Sequence, residues 1–306
     1  MNPFTFIANN SALFGVLGVN TILAYAVYVP LSMGQFQVAQ PVFCAIGGYA
    51  AGYMAIHTDL SFLPMLVIAV VLTSAVSLVF TPMLLRLSGL FLGLASFVLV
   101  GLAAAVAINL NFIGGALGLY SIPVYISSKV IWIMAVVVIA VVVVIRRSRF
   151  GLAMRVLRDD PIAAQGTGLS AFRVNVYVFG LSAAIAALAG IAQAYRFHAI
   201  GPDEFDLSVI LAALTYVIVG GLNNAAGPLI GSLVIGFLTN ELGFLQNWQT
   251  AFNGAFLLVV VVFFPGGLTA IPGAVRTRLR ERRTTPPGSP VVLQAAGSGA
   301  PAERVS

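Results

Sequence analysis

The run Met134–Ile145, MAVVVIAVVVVI, constrains this chain more than any other feature. It offers neither the polar face of a surface helix nor the polar–apolar alternation of a barrel strand. In hydrocarbon every backbone N–H and C=O must find its partner inside the protein, which leaves only helices or closed barrels. A continuous apolar run selects the helix. Similar runs recur along the chain: 60% of the 306 residues are apolar and 8% are charged, where soluble domains carry about 25% charged residues. A span needs about 20 residues. Uninterrupted apolarity predicts spans at 12–31, 40–57, 62–83, 88–108, 129–145, 174–196, 207–221, 226–245 and 250–265. The expected fold is therefore an all-α integral membrane protein, a polytopic helical bundle of about nine (eight to ten) transmembrane helices.

One long polar stretch interrupts this pattern. Arg146–Arg173, RRSRFGLAMRVLRDDPIAAQGTGLSAFR, holds six of the fifteen Lys and Arg residues together with Asp159 and Asp160. Phe150, Ala153, Met154 and Leu157 share one face of a helix over 149–158. Asp160 then stands as an N-cap, Pro161 suits the first helical turn, and Gly166 is expected to close a very short helix in a left-handed conformation. The plain alternative is a loop whose arginines only set topology. Lys and Arg in short loops mark the cytoplasmic side. Arg86, this loop and Arg276, Arg278, Arg280, Arg282 and Arg283 all fall on one side when nine spans are counted. Asp59, Asp203, Glu204 and Asp206 fall on the other, with Lys129, Arg196 and His198 near span ends. The C-terminus is expected inside and the uncharged N-terminus outside. Residues 1–272 form the expected transmembrane domain, with 146–173 as its cytoplasmic loop. Residues 273–306 read as a basic, then disordered, cytoplasmic tail whose arginines suit an anionic lipid surface.

Several function classes are disfavoured. The net charge of +6 is explained by topology, so nucleic acid is not an expected partner. Cys44 is the single cysteine, and His57 and His198 have no ligand-spaced companions, so no metal site is expected. The N-terminus lacks a basic n-region, so no removable signal peptide is expected. No phosphate-binding G-x-x-x-x-G-K-[ST] loop occurs, and the only lysine is Lys129. No intramembrane carboxylate stands out as a proton relay. Energy from ATP would have to arrive through another chain. Gln35, Gln37 and Gln40 fall at the start of a span, where an unpaired amide is costly; they should face a cavity or another helix. Gly47, Gly48 and Gly52 permit close helix approach or a break, and Pro41 removes a backbone donor. Gly220, Gly221, Asn223, Asn224, Gly227 and Pro228 suit a tight turn. The Gly-rich stretches 44–52 and 220–231 are candidate counterparts in an inverted repeat with broken helices.

The polar loop, RFGLAMRVLRDDPIAAQGTGLS, resembles the coupling segment of branched-chain amino acid ABC-importer permeases. Leu31–Tyr49 is similar to the early Ser-Gly-Gln segment of that family, and LSGLFLGLASFVLV with FIGGALGLYSIP to its next helix and Gly-Gly loop. IVGGLNNAAGPLIG and VVFFPGGLTAI resemble its closing signature. The resemblance covers residues 20–272 in order and leans toward the longer of the two permease subunits in such systems. Ala39, Pro41, Ala116-Leu117, Gln165 and Asn223 depart from the family pattern, close to positions that would contact substrate.

The resemblance implies a non-catalytic permease subunit in a bacterial inner membrane. Its partners would be a second permease subunit, two ATP-binding subunits that hold ATP and Mg²⁺, an extracytoplasmic solute-binding protein and membrane lipid. It implies coupling to the ATPase through Arg149, Arg155, Asp159, Asp160, Pro161, Ala163, Ala164 and Gly166. A translocation path would run by Gln35, Gln37, Gln40, Gly47, Gly48, Gly114 and Gly115. The expected solute is a branched-chain amino acid or a related small polar molecule. A stand-alone channel or facilitator for a small neutral solute is the alternative.

Overall fold

The computed structural model describes residues 11–87, 89–123, 126–166, 168–241, 254, 255 and 258. The basic tail, and the ninth predicted span apart from residues 254, 255 and 258, lie outside these residues. Within them the chain is a helical bundle: α1 Ser11–Leu31, α2 Gln40–His57, α3 Phe62–Leu84, α4 Leu90–Asn109 and α5 Ser128–Arg147. Then come α6 Arg149–Asp159, α7 Pro161–Gly166, α8 Ala171–Phe197, α9 Leu207–Gly220 and α10 Gly227–Glu241. A two-residue antiparallel ribbon pairs Leu119 with Ile200 and Tyr120 with Ala199, tying the loop before α5 to the end of α8.

Helix α8 is the axis. Its 27 residues pack against α1, α2 and α3, and Ala183, Ala186, Ala187, Ala189, Ala192 and Ala194 are wholly buried. Lipid tails are as apolar as leucine, so helix association in a membrane depends on close packing, and small residues permit it. Gly190 faces the Cys44 carbonyl, and Gly47 lies where a Cβ would come within 2.6 Å of Ala187 Cα. Cys44 is buried in this seam.

The peripheral helices bury one stripe each. In α3 the buried residues are Met65, Ala69, Thr73, Ser77, Thr81 and Leu84, nearly all four apart; in α5 they are Ile131, Ala135, Val138 and Val142. Their other faces carry exposed Val and Leu, as a lipid-facing surface requires. Hydroxyls within the helices are satisfied locally: Thr21, Thr73 and Ser96 donate to the carbonyls of Leu17, Ala69 and Leu92.

Cross-helix contacts fix direction. Trp132 Nε1 donates to the Phe14 carbonyl and Arg196 to that of Ala12, so the starts of α1 and α5 share one end of the bundle with the finish of α8. Tyr195 Oη meets Met65 Sδ and Ser77 donates to the Phe179 carbonyl, so α3 descends from that end to the other. Arg86 therefore lies at the same end as the Arg146–Arg173 segment, as loop charge predicts.

Predicted spans and helices agree within a few residues over the described chain. Among the described residues, five helices are long and apolar enough to cross a membrane: Ala12–Leu31, Phe62–Leu84, Leu90–Asn109, Ser128–Arg147 and Ala171–Phe197. Helix α9 has 14 residues, a length of about 21 Å against a hydrocarbon core of about 30 Å; α10 is described over Gly227–Glu241. They form a hairpin about the turn 221–226, with Gly231 against the Tyr216 carbonyl. Helix α2 starts at Gln40, where the sequence places it; the depth of that start in the bundle is what the sequence does not give.

Candidate functional site

Helix α1 ends beyond Pro30, and the chain turns through Met33 and Gly34, whose φ is 78°. Residues 35–39 then run without helical structure, and α2 begins only at Gln40. Pro41 at the head of α2 has no N–H to extend the helix backwards. Gln40 Nε2 donates to Ser182 Oγ on α8 at 3.2 Å. Ser182 lies eleven residues from the start of α8, about 17 Å along its axis and near mid-height. Tyr195 donates to the Ala51 carbonyl near the far end of α8. Helix α2 therefore starts about halfway along α8, and the non-helical backbone of 35–39 leads up to it.

This break gathers polar groups. Gln40 Nε2 also donates to Gln37 Oε1 at 3.2 Å, and Ser182 Oγ passes its own proton to the Ala26 carbonyl at 2.8 Å. Gln40 is 0% exposed and Gln37 is 3% exposed, yet Gln37 Nε2 and Gln40 Oε1 have no partner. Each such buried group costs about 1–3 kcal/mol. Irregular backbone at membrane depth belongs where it is enclosed in protein or lines a solute path. Two carboxamides there present one free donor and one free acceptor, a match for a small solute bearing both.

The predicted path residues divide among three places. Gln35, Gln37 and Gln40 lie on the break. Gly47 and Gly48 lie in the α2–α8 seam, Gly48 against Gly190 and Ile200, where they set helix distance. Gly114 and Gly115, both with positive φ, shape 3₁₀ turns after α4. Ser182 went unnoticed in the sequence; its signal was a lone hydroxyl in the small-residue run LSAAIAALAG. A separate cleft of about 510 Å³ between α2, α3 and α4, lined by Ile46, Tyr53, Leu72, Leu99, Val106 and others, is almost wholly apolar.

At the cationic end, α6 is capped by Ser148, which accepts from the Gly151 N–H. It buries Met154 and Leu157, with Phe150 and Ala153 packed alongside, as the periodicity predicts. Asp160 Oδ1 accepts from the Ile162 N–H at 2.9 Å, giving the expected cap for α7. One detail is corrected: the left-handed glycine is Gly168, with φ 80°, not Gly166, which stays in the helix because the chain must still reach Ser170, the cap of α8. Ala164 is buried, whereas Arg149, Arg155, Asp159, Asp160 and Gly166 are exposed. Ile162, passed over in the sequence, is 82% exposed; its signal was a lone branched apolar residue in DDPIAAQ. A Cβ on Gly34 would meet Arg158 Cγ at 3.5 Å, so α6 touches the turn that leads into the break.

Residues 9–265 match the model of the family described as "Branched-chain amino acid transport system / permease component". The chain is 30% identical over 141 residues to the ribose import permease protein RbsC of Haemophilus influenzae, covering 43% of each. It is 27% identical over 167 residues to the high-affinity branched-chain amino acid transport system permease protein LivH of Salmonella typhimurium, covering 54% of each. The chain thus spans about half the length of the curated relatives it matches. Among solved structures, PsaBC from Streptococcus pneumoniae in complex with Fab is similar with a TM-score of 0.46 at 13% identity, covering 82% of this chain and 90% of that one.

Proposed function

The chain belongs to the branched-chain amino acid transport permease family, and from that premise we propose that it is the membrane-spanning subunit of an ATP-driven importer for a small polar solute. The observation that carries this reading is the half-height start of α2, with Gln37 and Gln40 facing Ser182 on α8 and one amide donor and one acceptor unmet. A zwitterionic amino acid suits that pair, because its ammonium and carboxylate need an acceptor and a donor. A pentose also suits it through hydroxyls, and the likeness to ribose permeases gives this second reading its support.

The coupling follows from α6 and α7. Two ATP-binding subunits would grip the exposed residues of 149–166, Ile162 foremost among the apolar ones. Their closure would shift α6, whose Arg158 lies against Gly34, and so displace the non-helical segment 35–39 and the amides it carries. A ligand or partner shifts an equilibrium only by its differential contact with two states; here the differential contact is that of the partners with α6 and α7. A second permease subunit would complete the path, and an extracytoplasmic binding protein would deliver solute.

Uptake of labelled leucine and ribose into vesicles tests this. The assembled complex should accumulate one of them only with ATP, and this chain alone should pass neither. Flux through the chain alone would replace the importer with a facilitator.

A further inference from the structure

A second polar cavity, of about 370 Å³, lies at the cationic end, between the finish of α5, the middle of α6 and the α9–α10 turn. Arg146, Arg147 and Arg155 line it with Asn223 and Asn224, and among the described residues no carboxylate does. Arg146 is held in place: its Nη2 donates to the Asn223 carbonyl at 3.1 Å, and its Cζ lies 5.2 Å above the centre of the Tyr28 ring. Its Nη1 is buried without a partner. Arg155 is braced by Nε donating to the Gly151 carbonyl, and Tyr25 seals the inner wall by donating to the Ala225 carbonyl at 2.6 Å. Three cations around one cavity repel each other unless an anion sits among them.

The rest of the lining identifies the anion. Val143 and Ile139 lie three and seven residues before Arg146, so all three share one face of α5; Leu229 faces them from α10. The cavity is cationic at its mouth and apolar on its way into the membrane span. A soluble anion would leave that apolar wall unused, and a protein carboxylate, on one or two methylenes, has no chain long enough to follow it. We propose that this cavity binds the phosphodiester headgroup of an anionic phospholipid, its phosphate against Arg146, Arg147 and Arg155 and one acyl chain along Val143 and Ile139. Basic pockets between helices on the inner face hold such headgroups. The site is distinct from the break at Gln37 and Gln40, and the inference does not depend on which solute is carried.

Native mass spectrometry of the detergent-purified chain, titrated with dioleoylphosphatidylglycerol, dioleoylphosphatidylcholine or inorganic phosphate, tests it. Phosphatidylglycerol should be retained and phosphatidylcholine lost at the same concentration. Each of Arg147→Gln and Arg155→Gln should weaken retention about fivefold, while Arg86→Gln, which removes an equal charge elsewhere at that end, should leave it unchanged. Val143→Trp, which fills the apolar wall and keeps every arginine, should also weaken it. Equal retention of both lipids, equal loss with Arg86→Gln, or retention indifferent to Val143→Trp would overturn the proposal. So would displacement of the lipid by inorganic phosphate, which would make the occupant a free anion. Loss of a co-purified ATP-binding subunit in Arg155→Gln with phosphatidylglycerol retention intact would assign the cluster to a protein carboxylate and overturn it equally.

Discussion

Gln40 is enclosed on every side, yet its Oε1 meets no donor. A residue kept only for packing would be better as leucine, which fills similar space without the desolvation cost of about 1–3 kcal/mol. Gln40→Leu is therefore expected to melt no lower than the parent in detergent while lowering uptake by the assembled importer at least about tenfold, or 1.4 kcal/mol. A lower melting temperature with undiminished uptake would mark Gln40 as structural. Glu204 makes the opposite trade, at the bundle end away from Arg146, Arg147 and Arg155. Burial raises its carboxyl above the ordinary value, opposed by hydrogen bonds from Gln193 and the Gly201 backbone. The folded state then holds its proton to higher pH than the unfolded chain does, so stability falls as pH rises from the ordinary glutamate value through the raised one. The melting temperature should decline across that window, and Glu204→Gln should flatten the decline.

At the level of elements, α7 is six residues long and is worth nothing as an isolated helix. It persists because Asp160 caps it and because it packs on α6 and α8. Ala163→Asp, or deletion of 161–165, is expected to leave membrane insertion intact and abolish ATP-dependent uptake; full uptake by either would remove α7 from the coupling. The helices themselves were legible, because a bilayer permits few alternatives and apolar runs mark their extent. α6 and its buried face were legible from one period of hydrophobicity, and α7 from an Asp-Pro pair. The half-height start of α2 was not. Gln35, Gln37 and Gln40 announced that something polar had to be satisfied, but the depth of Gln40 is set by Ser182, which lies 142 residues later. The four glycines assigned to one path were separated for the same reason: a glycine signals freedom or proximity, and only the partner says which. Gly47 met Ala187 and Gly48 met Gly190, whereas Gly114 and Gly115 bent a loop.

For the molecule as a whole, direction across the membrane is the property a labelling experiment reads directly. The cross-helix contacts put Arg86, Arg158 and the α9–α10 turn at one end and His57, Arg196 and Glu204 at the other, and loop charge assigns the first end to the cytoplasm. With Cys44 replaced by Ala, a membrane-impermeant thiol reagent applied to intact cells should label His57→Cys and spare Asp160→Cys. Labelling of position 160 from outside would invert the molecule and end the coupling scheme with it. The non-helical stretch 35–39 has a further consequence for how such a molecule can move. The Gln35 N–H donates to the Pro30 carbonyl and the Gln37 N–H to the Gln35 carbonyl, so these backbone bonds run within the segment and its approach rather than across to a neighbouring helix. A stretch held in that way can be re-set as a unit, carrying Gln37 with it, while the helices on either side keep their packing.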